Sequence, residues 1–289
     1  MKSTLYLLAW TLLVAAPLQA ADKHIVLIAG RVSHGPGDHE FRAGSLLLQK
    51  SLRGYPGIQL HVRTNGWLSD EGLLDSAAAI VIYADGGGGH PAIQADRLKR
   101  LDALAAKGVG LGCMHYGVEV PKGDPGQAMH RWIGGYYEHQ YSVNPMWSPE
   151  FKFLPDHPIA RGVKPFSVKD EWYFNMRWGS DKVTPILVAV PSDDVRDGPY
   201  VYPKGPYPHI QEAKGRTETM MWAFQRPGGG RGFGFTGGHR HVNWGNDSFR
   251  KAVLNAFLWI AHVDVPPGGV ESSLTEDDLK QNLDDKSKK

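Results

Sequence analysis

Apolar positions along the chain come in short runs whose period switches between strand and helix. Residues 23–30 form a continuous apolar run that ends in Gly30, the pattern of a strand buried on both faces. Residues 40–52 place Phe41, Leu46, Leu47 and Leu48 on one helical stripe. Residues 58–62 alternate as a second strand and residues 78–84 form a third apolar run. Residues 91–106 predict a helix with Pro91 in its first turn, and residues 108–113 a fourth strand. Alternating strands and helices at this spacing predict right-handed βαβ units. The expected fold class is therefore α/β, a flavodoxin-like, doubly wound, mostly parallel sheet with its ligand site outside the carboxyl ends of the strands.

After Tyr136 the pattern changes. Strand-like runs at 137–143, 151–154, 166–173, 186–190 and 218–225 have no regular helices between them, and 198–208 is rich in Pro, Tyr and Gly. This predicts an extended β-rich insertion over 136–226 within the same domain. Residues 232–236 return as a last core strand, and 247–262 close the domain with an amphipathic helix carrying Phe249, Val253, Phe257 and Ile260. Residues 267–289 are a polar tail expected to fray. At the other end, Lys2, an apolar stretch over 5–17 and small residues at Ala20 and Ala21 read as a signal peptide over 1–21, too short to span a bilayer comfortably. One domain over 22–266 remains, expected to be exported to the periplasm or beyond the cell.

Composition narrows the partners. With 32 basic and 30 acidic residues and no basic block before the last few residues, nothing favours nucleic acid or an anionic membrane. No later stretch is apolar enough to span a bilayer, so no membrane contact is expected once the signal is removed. A small-molecule ligand fits this composition. The single cysteine, Cys113, excludes an internal disulfide.

Polar clusters follow the predicted core strands. The first strand runs into Ser33-His34-Gly35-Pro36-Gly37-Asp38-His39-Glu40, the third into Asp85 and Gly86 to Gly89, the fourth into Cys113-Met114-His115-Tyr116, and the last into Gly237-Gly238-His239-Arg240-His241. The fold rule brings His34, His39, His115, His239 and His241 to one edge, a set suited to a divalent transition metal, zinc first. The alternative is a metal-free polar pocket whose imidazoles bind a ligand by hydrogen bonds. The run Gly108-Val-Gly-Leu-Gly-Cys113-Met-His115 has the shape of a nucleophile elbow, with Cys113 exposed at the turn and His239 as its base. Cys113 as a small buried hydrophobe is the competing reading. Gly86 to Gly89 lacks the spacing of a phosphate loop and reads as a pocket border. Ten aromatics, from Trp132 to Trp244, suggest a lining that stacks on sugar faces, with core packing as the alternative for about half of them.

Several of these motifs, in order, resemble one family. Gly232-Phe-Gly-Phe-Thr-Gly-Gly-His239, then Trp244, Phe249 and Trp259, then Val265-Pro-Pro-Gly-Gly269, are similar to the end of a ThuA-like (trehalose utilisation) domain. Asp170-Glu171-Trp172-Tyr173 resembles that family's Asp-Glu-x-Tyr segment, and residues 30–41 resemble an exported branch of it. The resemblance implies a class I glutamine amidotransferase-like fold and a role in disaccharide or glycoside use through 3-keto sugars. Against the amidotransferases, Cys113 and His239 stand where nucleophile and base stand. His241 replaces the Glu that orients the base, however, and His115 replaces the Gly after the elbow.

The leading expectation is thus an exported enzyme acting on a glycoside or keto-sugar. His115 or His239 would be the base, Glu171 the acid, and a metal or Arg240 the partner of an enolate oxygen. Asp85, Tyr116, Trp172, Tyr173, Arg240 and Trp244 are expected to bind substrate, and a sugar dehydrogenase is the expected functional partner. A Cys113-dependent amide or ester hydrolase and a non-catalytic carbohydrate-binding protein are the rival readings.

Overall fold

The computed structural model describes residues 22–179 and 182–287, so the expected signal peptide lies outside the described residues. Within them no helix is long and apolar enough to cross a membrane. A seven-stranded sheet forms the centre. Its strands are β1 (Lys23–Ala29), β2 (Ile58–Arg63), β3 (Ala77–Tyr83), β4 (Gly110–Met114), β5 (Val183–Ala189), β6 (Glu218–Gln225) and β7 (Arg231–Phe235). They lie in the order β2-β1-β3-β4-β7-β6-β5. The first five in that order are parallel, while β6 runs antiparallel to both β7 and β5. The order matches the flavodoxin-like pattern, with the chain reversal between β1 and β3.

The continuous apolar runs arise because successive residues point to opposite faces and both faces are covered. Ile25, Leu27 and Ala29 enter one core layer with Val81, Tyr83, Phe249 and Val253. Val26 and Ile28 enter the other with Ile80, Ile82, Leu101 and Trp132. Helices α1 (Phe41–Ser51) and α4 (Asp247–Ile260) cover the first face, and α2 (Arg97–Ala106) and α3 (Asp124–Ile133) cover the second. At Gly110, β4 passes so close to α4 that a Cβ would lie 2.2 Å from the Ile260 carbonyl oxygen. Only glycine allows that approach.

Three expectations need correction. Of the expected runs 186–190 and 218–225, residues 186–189 and 218–225 belong to β5 and β6, which extend the central sheet rather than an inserted one. The segment between α3 and β5 is mostly loop, stitched by two-residue pairings: Gly135–Tyr136 with Arg177–Trp178, and Met146–Trp147 with Asp170–Glu171. Its aromatics pack inward, which made the segment look strand-like. Helix α3 was not anticipated, although Pro125 near its start, Gly134 in left-handed conformation at its end and the stripe Ala128, Met129, Trp132 and Ile133 mark it.

The tail does not fray. It forms a short capped helix, α5 (Glu276–Lys280), and then folds back on the loop before α1. There the buried Lys286 ammonium lies 3.1 Å from Glu40 and donates to the carbonyl oxygens of Gly35 and Asp38. The Asp284 N–H donates to the other Glu40 oxygen at 2.8 Å.

Candidate functional site

Four strand ends converge at the carboxyl edge of the sheet. The loop after β1 brings His34 and His39, β3 ends next to Asp85, His115 directly follows β4, and the segment after β7 carries His239. His34, His39 and His115 have φ of 55°, 48° and 50°. Left-handed backbone is uncommon in residues with a Cβ, and it persists where the surroundings enforce it. The sharp turn at the end of β4 thus falls on His115, not on Cys113.

That displacement settles the cysteine. Cys113 lies within β4, faces the second core layer and is 2% exposed. Burial alone pushes its thiol up to about 12. A thiolate nucleophile needs the opposite environment, so the covalent reading is withdrawn. Alkylation of native protein by a thiol reagent is expected to be as slow as global unfolding, and Cys113→Ser is expected to leave any activity intact. Fast labelling of the folded protein would contradict this.

His39, His115, His239 and Glu171 come together instead, with one ligand atom from each lying within 4.8 Å of the others, all buried. His39 Nε2 is 3.0 Å from His115 Nε2 and 3.0 Å from His239 Nδ1. Glu171 Oε2 is 2.7 Å from His239 Nδ1 and 3.5 Å from His115 Nε2. Each of these groups has an outer partner. His39 Nδ1–H donates to Asp85 at 2.9 Å, and His115 Nδ1–H to the Thr236 carbonyl oxygen at 2.9 Å. His239 Nε2 faces Asp38 at 3.5 Å, and Glu171 Oε1 accepts from Asn144 at 2.9 Å.

These outer partners assign the tautomers. A carbonyl or carboxylate oxygen only accepts, so the neutral rings of His39 and His115 carry hydrogen on Nδ1. Their Nε2 lone pairs then face each other at 3.0 Å. Such an arrangement is repulsive unless a cation lies between them, either a metal ion or a proton taken up by one of the rings. Burial pushes the Glu171 carboxyl up, but in the metal-free protein hydrogen bonds from protonated His115 and His239 outweigh it and hold it at about 2. Glu171 is therefore an anion at neutral pH, which corrects its expected role as acid. His39 is kept well below the usual imidazole range by burial, then by the neighbouring imidazoles. Burial also pulls His239 down, but the hydrogen bond and charge of Glu171 reverse this and raise it.

Three imidazoles and a carboxylate, each facing an outer polar partner, are a donor set that could hold a divalent transition metal. A tetrahedral zinc with bonds of about 2.0–2.1 Å sets its ligands about 3.3 Å apart, and the separations of His39 and Glu171 from the other two imidazoles run from 2.7 to 3.5 Å.

The other expected residues divide clearly. His34 stacks on His39 at 3.5 Å between ring centres and lines the cleft without joining the four. His241 is buried and its ring is not part of the cluster, so it is removed from the metal set. Asp85 acts through His39 and Ser33 rather than lining the cleft. Tyr116 and Tyr173 line it, and the Tyr173 hydroxyl lies 3.3 Å from His115 Nε2. Trp172 and Trp244 are fully buried in the first core layer, so neither touches a ligand. Arg240 is exposed and outside the lining, so it steadies no enolate here. Asp170 accepts from the backbone N–H groups of Gly238 and Arg240, at 2.9 and 3.1 Å, and so holds the loop of His239.

The cleft over the cluster has a volume of about 480 Å³. Its far wall is Gly87, Gly88, Glu119, His139, Val201 and Tyr202. The glycines border it as expected, with Gly87 N–H donating to the Glu119 carbonyl at 3.0 Å. Sequence reasoning missed Glu119, Asn144 and Asp38. Glu119 follows the β4 turn by four residues, and that proximity to His115 was the one available signal.

No curated protein matches the chain. Among solved structures it is similar to a ThuA-like protein from Bacteroides uniformis, at 16% identity and a TM-score of 0.58 over 86% of this chain and 97% of that one. A ThuA-like protein from Parabacteroides merdae is 15% identical with a TM-score of 0.55, over 89% and 94%. At these identities the likeness shows the fold. The family model described as trehalose utilisation matches residues 27–260, which takes in the end of β1, the other six strands of the sheet and all four clustered side chains, and the chain belongs to the ThuA family.

Proposed function

We propose that this protein is an exported, metal-dependent enzyme that cleaves a 3-keto-glycoside by proton abstraction and elimination. The observation that carries the reading is the convergence of His39, His115, His239 and Glu171, with Nε2 of His39 facing Nε2 of His115. A divalent ion held there would act as a Lewis acid toward a ketone oxygen and the enolate derived from it. A ketone at C3 acidifies the hydrogen on C2. His34 is open to the cleft and stacked on His39, and its imidazole, outside the four, is placed to take that proton. Tyr173 donates to a substrate oxygen, since burial, then the charge of Glu171, keeps its hydroxyl protonated. The family's link to trehalose utilisation favours a carbohydrate substrate. A dehydrogenase must act first, because the ketone has to be installed before the C2 proton becomes acidic.

The test is turnover of a 3-keto-disaccharide by the purified mature protein, followed as release of the second sugar. Activity should vanish after chelation and return with a divalent ion. Binding of sugar without any release over long incubation, with or without metal, would replace this reading by a carbohydrate-binding role.

A further inference from the structure

With His39, His115, His239 and Glu171 committed as ligands, none remains to protonate the leaving group. The cleft offers a different carboxyl. Glu119 lies in its wall with a side chain 12% exposed, and its ion-pair partner among the described residues is His139 at 3.9 Å. No lysine or arginine is paired with it among the described residues. A Cβ placed on Gly87 would stand 3.5 Å from the Tyr116 hydroxyl and 3.7 Å from Glu119 Oε1, so both groups reach the same part of the cleft.

We propose that Glu119 is the catalytic acid that protonates the departing glycosidic oxygen. The inference rests on the elimination reading above and supplies the proton donor it lacks. The groups that act on Glu119 are Glu171, Tyr116, His139, Tyr137 and Tyr173. Burial, the first cause, pushes its carboxyl up and so favours the protonated form, and this cause persists when an ion bound to Glu171 offsets that residue's charge. That is the condition a general acid must meet.

The proton count closes. His34 takes the C2 proton, and the C–H electron pair becomes the enolate. The enolate collapses to form the C1=C2 bond and breaks the C1–O bond. Glu119 gives its proton to the leaving oxygen, which departs as an alcohol, and Glu119 is left as carboxylate. Water then adds at C1, giving a proton to Glu119, while His34 returns its proton to C2. One water is consumed and both groups are restored.

The experiment compares wild type and Glu119→Gln on two 3-keto-glucosides, one with an alkyl aglycone and one with nitrophenol. On the alkyl substrate kcat should fall by about 100- to 10,000-fold, and the alkaline limb of the wild-type pH profile should disappear with it. Nitrophenolate leaves without help, so turnover of that substrate should stay within a few-fold of wild type. A merely structural role would lower both.

Folding has its own readout. The raised carboxyl disfavours the folded state increasingly between its unfolded value and about 8, so Glu119→Gln should melt higher than wild type at pH 8. Equal loss on both substrates, or none on either, overturns the assignment of Glu119 alone. A wild type that turns over neither substrate brings down the elimination reading and Glu119 with it.

Discussion

His239→Ala is expected to purify with less than about a tenth of the metal of the wild type, which should hold about one equivalent. His239 Nδ1 stands at the centre of the site, 3.0 Å from His39 Nε2 and 2.7 Å from Glu171 Oε2. Removing it takes away one ligand and leaves Glu171 without its closest partner. Outer partners should matter less: Asp85→Ala and Asn144→Ala should weaken binding by about 10- to 100-fold, because Asp85 orients His39 and Asn144 orients Glu171. His241→Ala should keep full metal, since that ring lies outside the cluster. Metal content by plasma mass spectrometry, with a chelator competition for affinity, separates these classes. A metal-free wild type in every preparation would sink the metal site and leave the four groups as a hydrogen-bonded polar pocket. Metal at a full equivalent in His239→Ala would place the ion elsewhere.

Trp172→Ala should destabilise the fold by about 3–5 kcal/mol, the cost of removing a large aromatic side chain from a packed core. Trp172 is 0% exposed, and its ring lies at 4.9 Å from Phe151, 5.6 Å from Phe235 and 5.7 Å from Phe249. A Cβ on Gly237 would come within 2.7 Å of it, so the loop that leads to His239 rests on this ring. Along the strand-like segment, Glu171 and Tyr173 face the cleft while Trp172 faces the core. The substitution should therefore lower metal affinity as well as stability, without a selective rise in KM for sugar. Chemical denaturation measures the first effect. A stable Trp172→Ala protein with weakened sugar binding would restore the substrate-stacking role that burial removes.

The tail illustrates why composition misleads at a chain end. Residues 267–289 are polar, and polar tails usually fray. Here the Lys286 ammonium finds Glu40 and two backbone carbonyls inside the loop that carries His39. Nothing local to the tail announces that pairing, because its partners lie some 250 residues away in sequence.

What the sequence determined by itself was local or periodic. The apolar runs of β1 and β3 and the stripe of α4 are short-range patterns, and together with the right-handed crossover they dictate a doubly wound sheet. Because ligands bind outside the strand carboxyl ends of such a sheet, His39, His115 and His239 could be brought to one edge from their positions alone. Tertiary structure decided the rest, since it depends on contacts between distant segments. It moved the sharp turn from Cys113 to His115, turned His241 away, and buried Trp172 and Trp244 in the core. It also brought Asn144 and Glu119 to the cleft from loops that carry no periodicity. Which side of a chain a residue faces after a turn, and which carboxyl loses its water, are set by packing, and packing is specified by the whole chain at once.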